Sequence, residues 1–170
     1  MKKILLIEDN LEVRENTAEI LELSGYEVAT AENGKIGVRL AQQSTPDLII
    51  CDIMMPELDG YETAPLLKQL STEVYLPIIF ITALGDQESL KRCLEVGGDD
   101  FLSKPFDKVI LQAKINAHSR IRDLSIKTYE QNKQLDFYRL KTEREHQIVE
   151  HIFDRALEGN YQAPHLLDFH

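Results

Sequence analysis

The sequence predicts an α/β fold: a doubly wound, five-stranded parallel sheet continued by one extended C-terminal helix. Three observations carry that expectation. Five short apolar runs recur at regular intervals, an amphipathic stretch of helical length separates each from the next, and neither glycine nor proline interrupts the chain from Phe106 to Glu158.

The first run, Ile4 to Ile7, is followed by a helical pattern over Leu11 to Leu23 that Ser24-Gly25 stops. The second run is Tyr26 to Ala31, and Asn33-Gly34 opens a helix reaching Gln43. Ser44-Thr45-Pro46 separates it from the third run, Leu48 to Cys51. A helix over Tyr61 to Leu70 contains Pro65, so it either begins late or bends there. The fourth run, Ile78 to Ile81, leads to a helix over Asp86 to Val96 that Gly97-Gly98 ends, and Asp100 to Leu102 is the fifth. Four runs are continuous rather than alternating, as strands covered on both faces should be. Crossovers of this length demand parallel pairing with right-handed connections. Ligands of such sheets collect at the carboxyl ends of the strands.

From Asp107 onward the natural reading is one long helix. A three-four apolar spacing runs through Ile110, Ala117, Ile121, Leu124, Leu135, Tyr138, Val149, Ile152 and Ala156, with polar breaks at Thr128, Gln131, Thr142 and Glu145. About fifty helical residues extend roughly 75 Å. Such a stripe is expected to pack on the same helix of a second copy, giving a homodimer through a coiled coil.

At 170 residues the chain has room for one good core plus an appendage. The net charge of -10 is unevenly spread: residues 1 to 106 hold 9 Lys/Arg against 19 Asp/Glu, and residues 107 to 170 hold 10 of each. An acidic domain with a neutral tail lacks the basic face that nucleic acid requires, so no nucleic-acid partner is expected. Cys51 and Cys93 follow no metal or redox spacing and read as small buried groups of a reducing compartment. Lys2 and Lys3 precede an apolar run that Glu8 and Asp9 cut short. Neither an export signal nor a membrane span is expected, and the expected location is cytoplasmic.

On this architecture Glu8 and Asp9 follow the first strand, Asp52 the third, Thr82 the fourth and Lys104 the fifth. Two unit charges about 4 Å apart repel by about 4 kcal/mol at an effective dielectric near 20. A hard divalent cation such as Mg²⁺ offsets that cost with oxygen ligands. Asp52 suits the role of nucleophile toward a phosphoryl group, with Lys104 and the Thr82 hydroxyl engaging the phosphoryl oxygens. Taken singly these residues are ordinary: Asp9 before a helix is more often an N-cap than a ligand, and a strand-end Thr or Lys is usually only solvated. Four strand ends supplying these five groups together point to one site.

These residues sit in Ile7-Glu8-Asp9-Asn10, Asp52-Ile53-Met54-Met55-Pro56-Glu57-Leu58-Asp59-Gly60, Ile81-Thr82-Ala83 and Gly98-Asp99-Asp100-Phe101-Leu102-Ser103-Lys104-Pro105-Phe106. In them residues 1 to about 120 resemble the receiver domain of bacterial response regulators. The resemblance implies a flavodoxin-like strand order 2-1-3-4-5 and Mg²⁺ held by Glu8, Asp9, Asp52 and the backbone carbonyl of Met54. It implies phosphoryl transfer to Asp52 from a histidine kinase or a phosphotransfer protein. It also implies switch roles for Thr82 and Phe101 and a cis Lys104-Pro105 bond. Met54 and Leu84 occupy positions that tune water attack in the family, and both are apolar here, so the phosphoryl group should be comparatively long-lived. The domain itself would catalyse its own phosphorylation and slow dephosphorylation.

The tail is treated as a linker over 121 to 157, with 158 to 170 as a tail or the start of a further domain. Arg144-Glu145-His146-Gln147-Ile148-Val149-Glu150-His151-Ile152-Phe153, with Ala156-Leu157, is similar to linkers that precede a metal-dependent serine/threonine phosphatase domain. That likeness implies an N-terminal fragment of a longer protein; the alternative is a stand-alone adaptor whose dimeric helix is the output. His146 and His151, five apart and so off a common helical face, read as solvated. A haloacid-dehalogenase-like phosphatase would want a second carboxylate two residues after the nucleophile, where Met54 stands.

Overall fold

The computed structural model describes residues 1–83 and 85–161, with only the backbone described for Asn160 and Tyr161. The elements are β1 (Lys3–Ile7), α1 (Leu11–Leu23), β2 (Glu27–Ala31), α2 (Gly34–Gln43), β3 (Leu48–Asp52), α3 (Gly60–Lys68), β4 (Ile78–Thr82), α4 (Gln87–Glu95), β5 (Asp100–Ser103) and α5 (Lys108–Tyr161). The five strands form one parallel sheet in the order β2-β1-β3-β4-β5. The fold is the expected doubly wound sheet with its long C-terminal helix.

Local chemistry starts the helices where the sequence says. Asn10, Asn33 and Asp86 accept from the backbone N–H three residues on, and Asp59 forms a reciprocal capping box with Glu62. Gly25 and Gly97, at φ 91° and 104°, follow α1 and α4 in the left-handed region that favours glycine. Of the two alternatives at Pro65, the helix does not begin late: α3 runs through the proline. The ring removes the N–H that would serve the Tyr61 carbonyl.

Alternate strand residues fill two cores, as a sheet covered on both faces requires. Leu5, Ile7, Ile49, Cys51, Ile78 and Phe80 face one, and Ile4, Leu6, Leu48, Ile50, Ile79 and Ile81 the other. Both cysteines are buried, as their spacing suggested. The Phe80 ring lies where a Cβ on Gly60 or Gly98 would fall 3.1 or 2.5 Å from it.

By contacts the chain divides into two compact units, one Met1–Lys127 and the other beginning at Thr128. In the first, Asp107 caps α5 through Val109 and Ile110, and Leu111 and Ile115 bury against the sheet. That docking face is one residue out of phase with the apolar stripe read from the sequence, whose Ile110, Ile121 and Leu124 remain 49–65% exposed. Polar contacts complete the docking. Tyr75 accepts from Arg122 through its carbonyl at 2.7 Å, gives its N–H to Ser125 at 2.8 Å, and meets His118 Nδ1 with its hydroxyl at 2.9 Å. Arg122 also reaches Asp47 at 3.3 Å, and Lys2 pairs with Asp123 at 2.8 Å. In the second unit the described side chains of the helix are almost all exposed, His146 and His151 among them. Among the described residues no helix is long and apolar enough to cross a membrane.

Candidate functional site

Strand register assembles the site. Ile7 lies opposite Cys51 and Asp52 opposite Ile81, so Glu8 and Asp52 come level, with Thr82 one residue further on, at the carboxyl edge of the three central strands. Asp52 and Thr82 are the last residues of their strands rather than the first beyond them. Lys104 follows β5, its N–H donating to the Thr82 carbonyl at 2.8 Å, and the Lys104-Pro105 bond is cis.

Glu8 and Asp52 are 3% and 6% exposed, and Asp9 is exposed. The Lys104 ammonium donates to Glu8 Oε2 at 2.6 Å and to Asp52 Oδ2 at 3.0 Å. The remaining oxygens accept from backbone: Glu8 Oε1 from Asn10 at 3.1 Å and Asp52 Oδ1 from Ile53 at 2.7 Å. Asn10, rather than Asp9, caps α1, which leaves the Asp9 carboxylate out of the helix start. One oxygen from each of Glu8, Asp9 and Asp52 lies within 4.8 Å of the others. Three carboxylates around one ammonium leave a surplus of negative charge, and the donor set is hard oxygen throughout. Both features fit Mg²⁺.

Burial, then the charge of Asp52, pushes the Glu8 carboxyl from 4.5 up to about 7 against the opposing bond from Lys104. Burial alone would lower the Lys104 ammonium, but its bonds to Glu8 and Asp52 outweigh that and raise it.

Of the other expected residues, Thr82 is fully buried and Phe101 is half-buried against the Phe80 side of the sheet. Met54 is 63% exposed in the loop after β3, and Leu84 lies outside the described residues. The structure adds two groups that sequence reasoning passed over. Arg14 donates to the Glu8 carbonyl at 2.7 Å and weakly to that of Asp9, bracing the acidic loop from the first turns of α1. Asp100, beside Phe101, binds Lys114 at 2.8 Å and His118 at 3.1 Å. Burial opposes the Asp100 carboxylate, but those bonds prevail and hold it below its usual range. Neither signal is visible in the linear sequence, because the Asp100 partners lie 14 and 18 residues away and the Arg14 acceptors are backbone carbonyls.

A family model for the response regulator receiver domain matches residues 4–116. A probable transcriptional regulator, ycf27 of Cyanophora paradoxa, is 40% identical over 116 residues, 68% of this chain and 47% of that protein. The phosphate regulon transcriptional regulatory protein PhoB of Pseudomonas aeruginosa is also 40% identical over 116 residues, 68% of this chain and 51% of that one. Among solved structures, the chemotaxis protein CheY4 of Vibrio cholerae shares 30% identity with a TM-score of 0.65, covering 69% of this chain and 98% of its own. The chain spans about half the length of the curated relatives it matches.

Proposed function

Because the chain belongs to the response regulator receiver family of two-component signalling, we propose that Asp52 is its phosphoacceptor and that Thr82 and Phe101 convert phosphorylation into a change of shape. The supporting observation is the Asp52 carboxylate at the sheet rim, nearly buried and bonded to Lys104, with Glu8 and Asp9 within ligand distance. Receivers take their phosphoryl group from histidine kinases, and here the donor is such a kinase or a phosphotransfer protein. A carboxylate oxygen of Asp52 forms a bond to phosphorus as the phosphorus–nitrogen bond of phosphohistidine breaks, and the imidazole leaves with a proton. Lys104 turns part of its hydrogen bonding from Asp52 to the phosphoryl oxygens. Glu8, Asp9, Asp52 and the Met54 carbonyl are the proposed Mg²⁺ ligands, and the ion supplies charge neutralisation at those oxygens. Thr82 then donates to the phosphoryl group and Phe101 turns inward, a population shift driven by contacts present only in the phosphorylated state.

For domain organisation we propose a receiver over 1–120 and a coiled-coil linker over 121–157 that makes a homodimer. The proposed output is an attached phosphatase-type domain, supported by the likeness of residues 144–157 to such linkers. The adaptor alternative draws support from the exposed apolar side chains of α5, which are themselves a binding surface. A cytoplasmic protein that does not touch nucleic acid fits the acidic charge balance.

Incubation with acetyl phosphate and Mg²⁺ tests the core of this reading by intact mass. The wild type should gain one phosphoryl group and Asp52→Asn none. A gain that persists in Asp52→Asn, with the protein folded, places the chemistry elsewhere.

A further inference from the structure

We propose that α5 pairs with α5 of a second copy in parallel and in register, and that Ile148 and Phe153 set that direction. The inference rests on the homodimer proposed above and adds its orientation. In the second unit Leu135, Tyr138, Val149 and Ile152 are 62–65% exposed and, with Ala156, keep a strict three-four alternation through Thr142 and Glu145. A 3.5-residue period keeps one seam facing a like helix over successive turns, which suits a copy of itself as partner. Residues 128 to 157 hold five basic and six acidic side chains, so two copies do not repel through net charge.

The seam alone leaves the direction open. An antiparallel pairing that sets Leu135 against Ile152 and Tyr138 against Val149 also brings Thr142 to Glu145, matching polarity from Leu135 to Ile152. The flanks separate the two arrangements. Ile148 and Phe153, 53% and 64% exposed, border the seam on opposite sides, five residues apart. In a parallel pair, a residue on one flank meets the residue five further along on the partner's opposite flank. Ile148 therefore closes on Phe153 of the second copy, twice by symmetry. In the antiparallel pair Ile148 meets Lys141 and Phe153 meets Asn132, which leaves both apolar groups against polar ones.

The parallel arrangement brings the two Glu145 side chains together. Lys141 of the same helix lies 4.0 Å from Glu145, and that cation offsets the repulsion. Two apolar flank contacts removed from water then outweigh one compensated like-charge layer.

The test uses the full chain, with light scattering for size and disulfide trapping for direction; the buried Cys51 and Cys93 do not compete. Leu135→Cys alone should give a covalent dimer on oxidation, and mixing it with Ile152→Cys should give no 135–152 cross-link. Ile148→Glu and Phe153→Lys should each weaken dimerisation about tenfold or more, and the double variant should recover most of that loss because the new charges face each other across the pair. A 135–152 cross-link, or a double variant no better than the singles, overturns the direction and leaves the homodimer standing. A wild-type monomer at every concentration overturns both.

Discussion

Replacing Glu8 with Gln should change stability in opposite directions at two pH values. In the metal-free protein the Glu8 carboxyl titrates at about 7 rather than 4.5, so between those values the folded state binds more protons than the unfolded chain. Wild-type stability therefore falls as pH rises through that window, by about 3 kcal/mol in all at 1.36 kcal/mol per unit. Gln carries no charge and escapes that loss. It has only one acceptor oxygen, however, where Glu8 serves both Asn10 N–H and Lys104. The misplaced amide costs about 1–2 kcal/mol. Glu8→Gln should thus be about 1–2 kcal/mol less stable than wild type at pH 5 and about 1–2 kcal/mol more stable at pH 8. Urea unfolding in chelator at both values measures it. Mg²⁺ at a hundred times its Kd should then raise the wild type by about 2.7 kcal/mol and the variant by much less. A stability difference that stays constant to about 0.5 kcal/mol between pH 5 and pH 8 refutes the account of Glu8 as a strained anion.

Gly60→Ala should destabilise by about 1–3 kcal/mol in chemical unfolding and slow phosphorylation, because its Cβ would fall 2.5 Å from the Asp52 carbonyl and 2.7 Å from Ile53 Cα, both backbone. Glu57 stands at φ 66°, so Glu57→Asn, which tolerates that region better, should raise stability by about 0.5–1 kcal/mol in a thermal scan. Asp100→Asn should lose about 1–3 kcal/mol at pH 7 with the Lys114 and His118 pairs. The Asp100 carboxylate is held low, so its contribution is full above the unfolded value and fades as pH falls through the folded one; variant and wild type should converge only in strong acid. The phosphoryl group on Asp52 should persist well beyond seconds in the isolated protein, since Met54 offers an attacking water no hydrogen-bond partner, and a radiolabel chase giving a half-life of seconds would count against that role.

Periodicity and punctuation located every strand and helix of the sheet to within two residues, because continuous apolar runs and capping side chains act locally. The acidic rim was legible too, since strand ends of a parallel sheet must lie together. What escaped was pairing at long range. The sequence suggested that Lys104 awaits phosphoryl oxygens, whereas its ammonium is bonded to Glu8 and Asp52, a contact only the fold reveals. The α5 stripe was read in a single phase, yet Leu111 and Ile115 dock one residue away from it. Two faces on one helix blur each other in a linear pattern. Pro65 left open whether α3 starts late or bends, and the helix runs through it from Gly60, because propensity at one residue is a weak guide once Ala64 and Leu67 are buried.

Tyr75 spends its amide, its carbonyl and its hydroxyl on α5, and all three anchors, His118, Arg122 and Ser125, lie past residue 116, where the family outline stops. Trimming the protein to that outline would strand a backbone segment at the head of β4 and cost the Asp47 carboxylate its Arg122 partner, leaving it the Lys3 N–H. A piece that keeps these anchors therefore reaches about two helical turns further than the family outline.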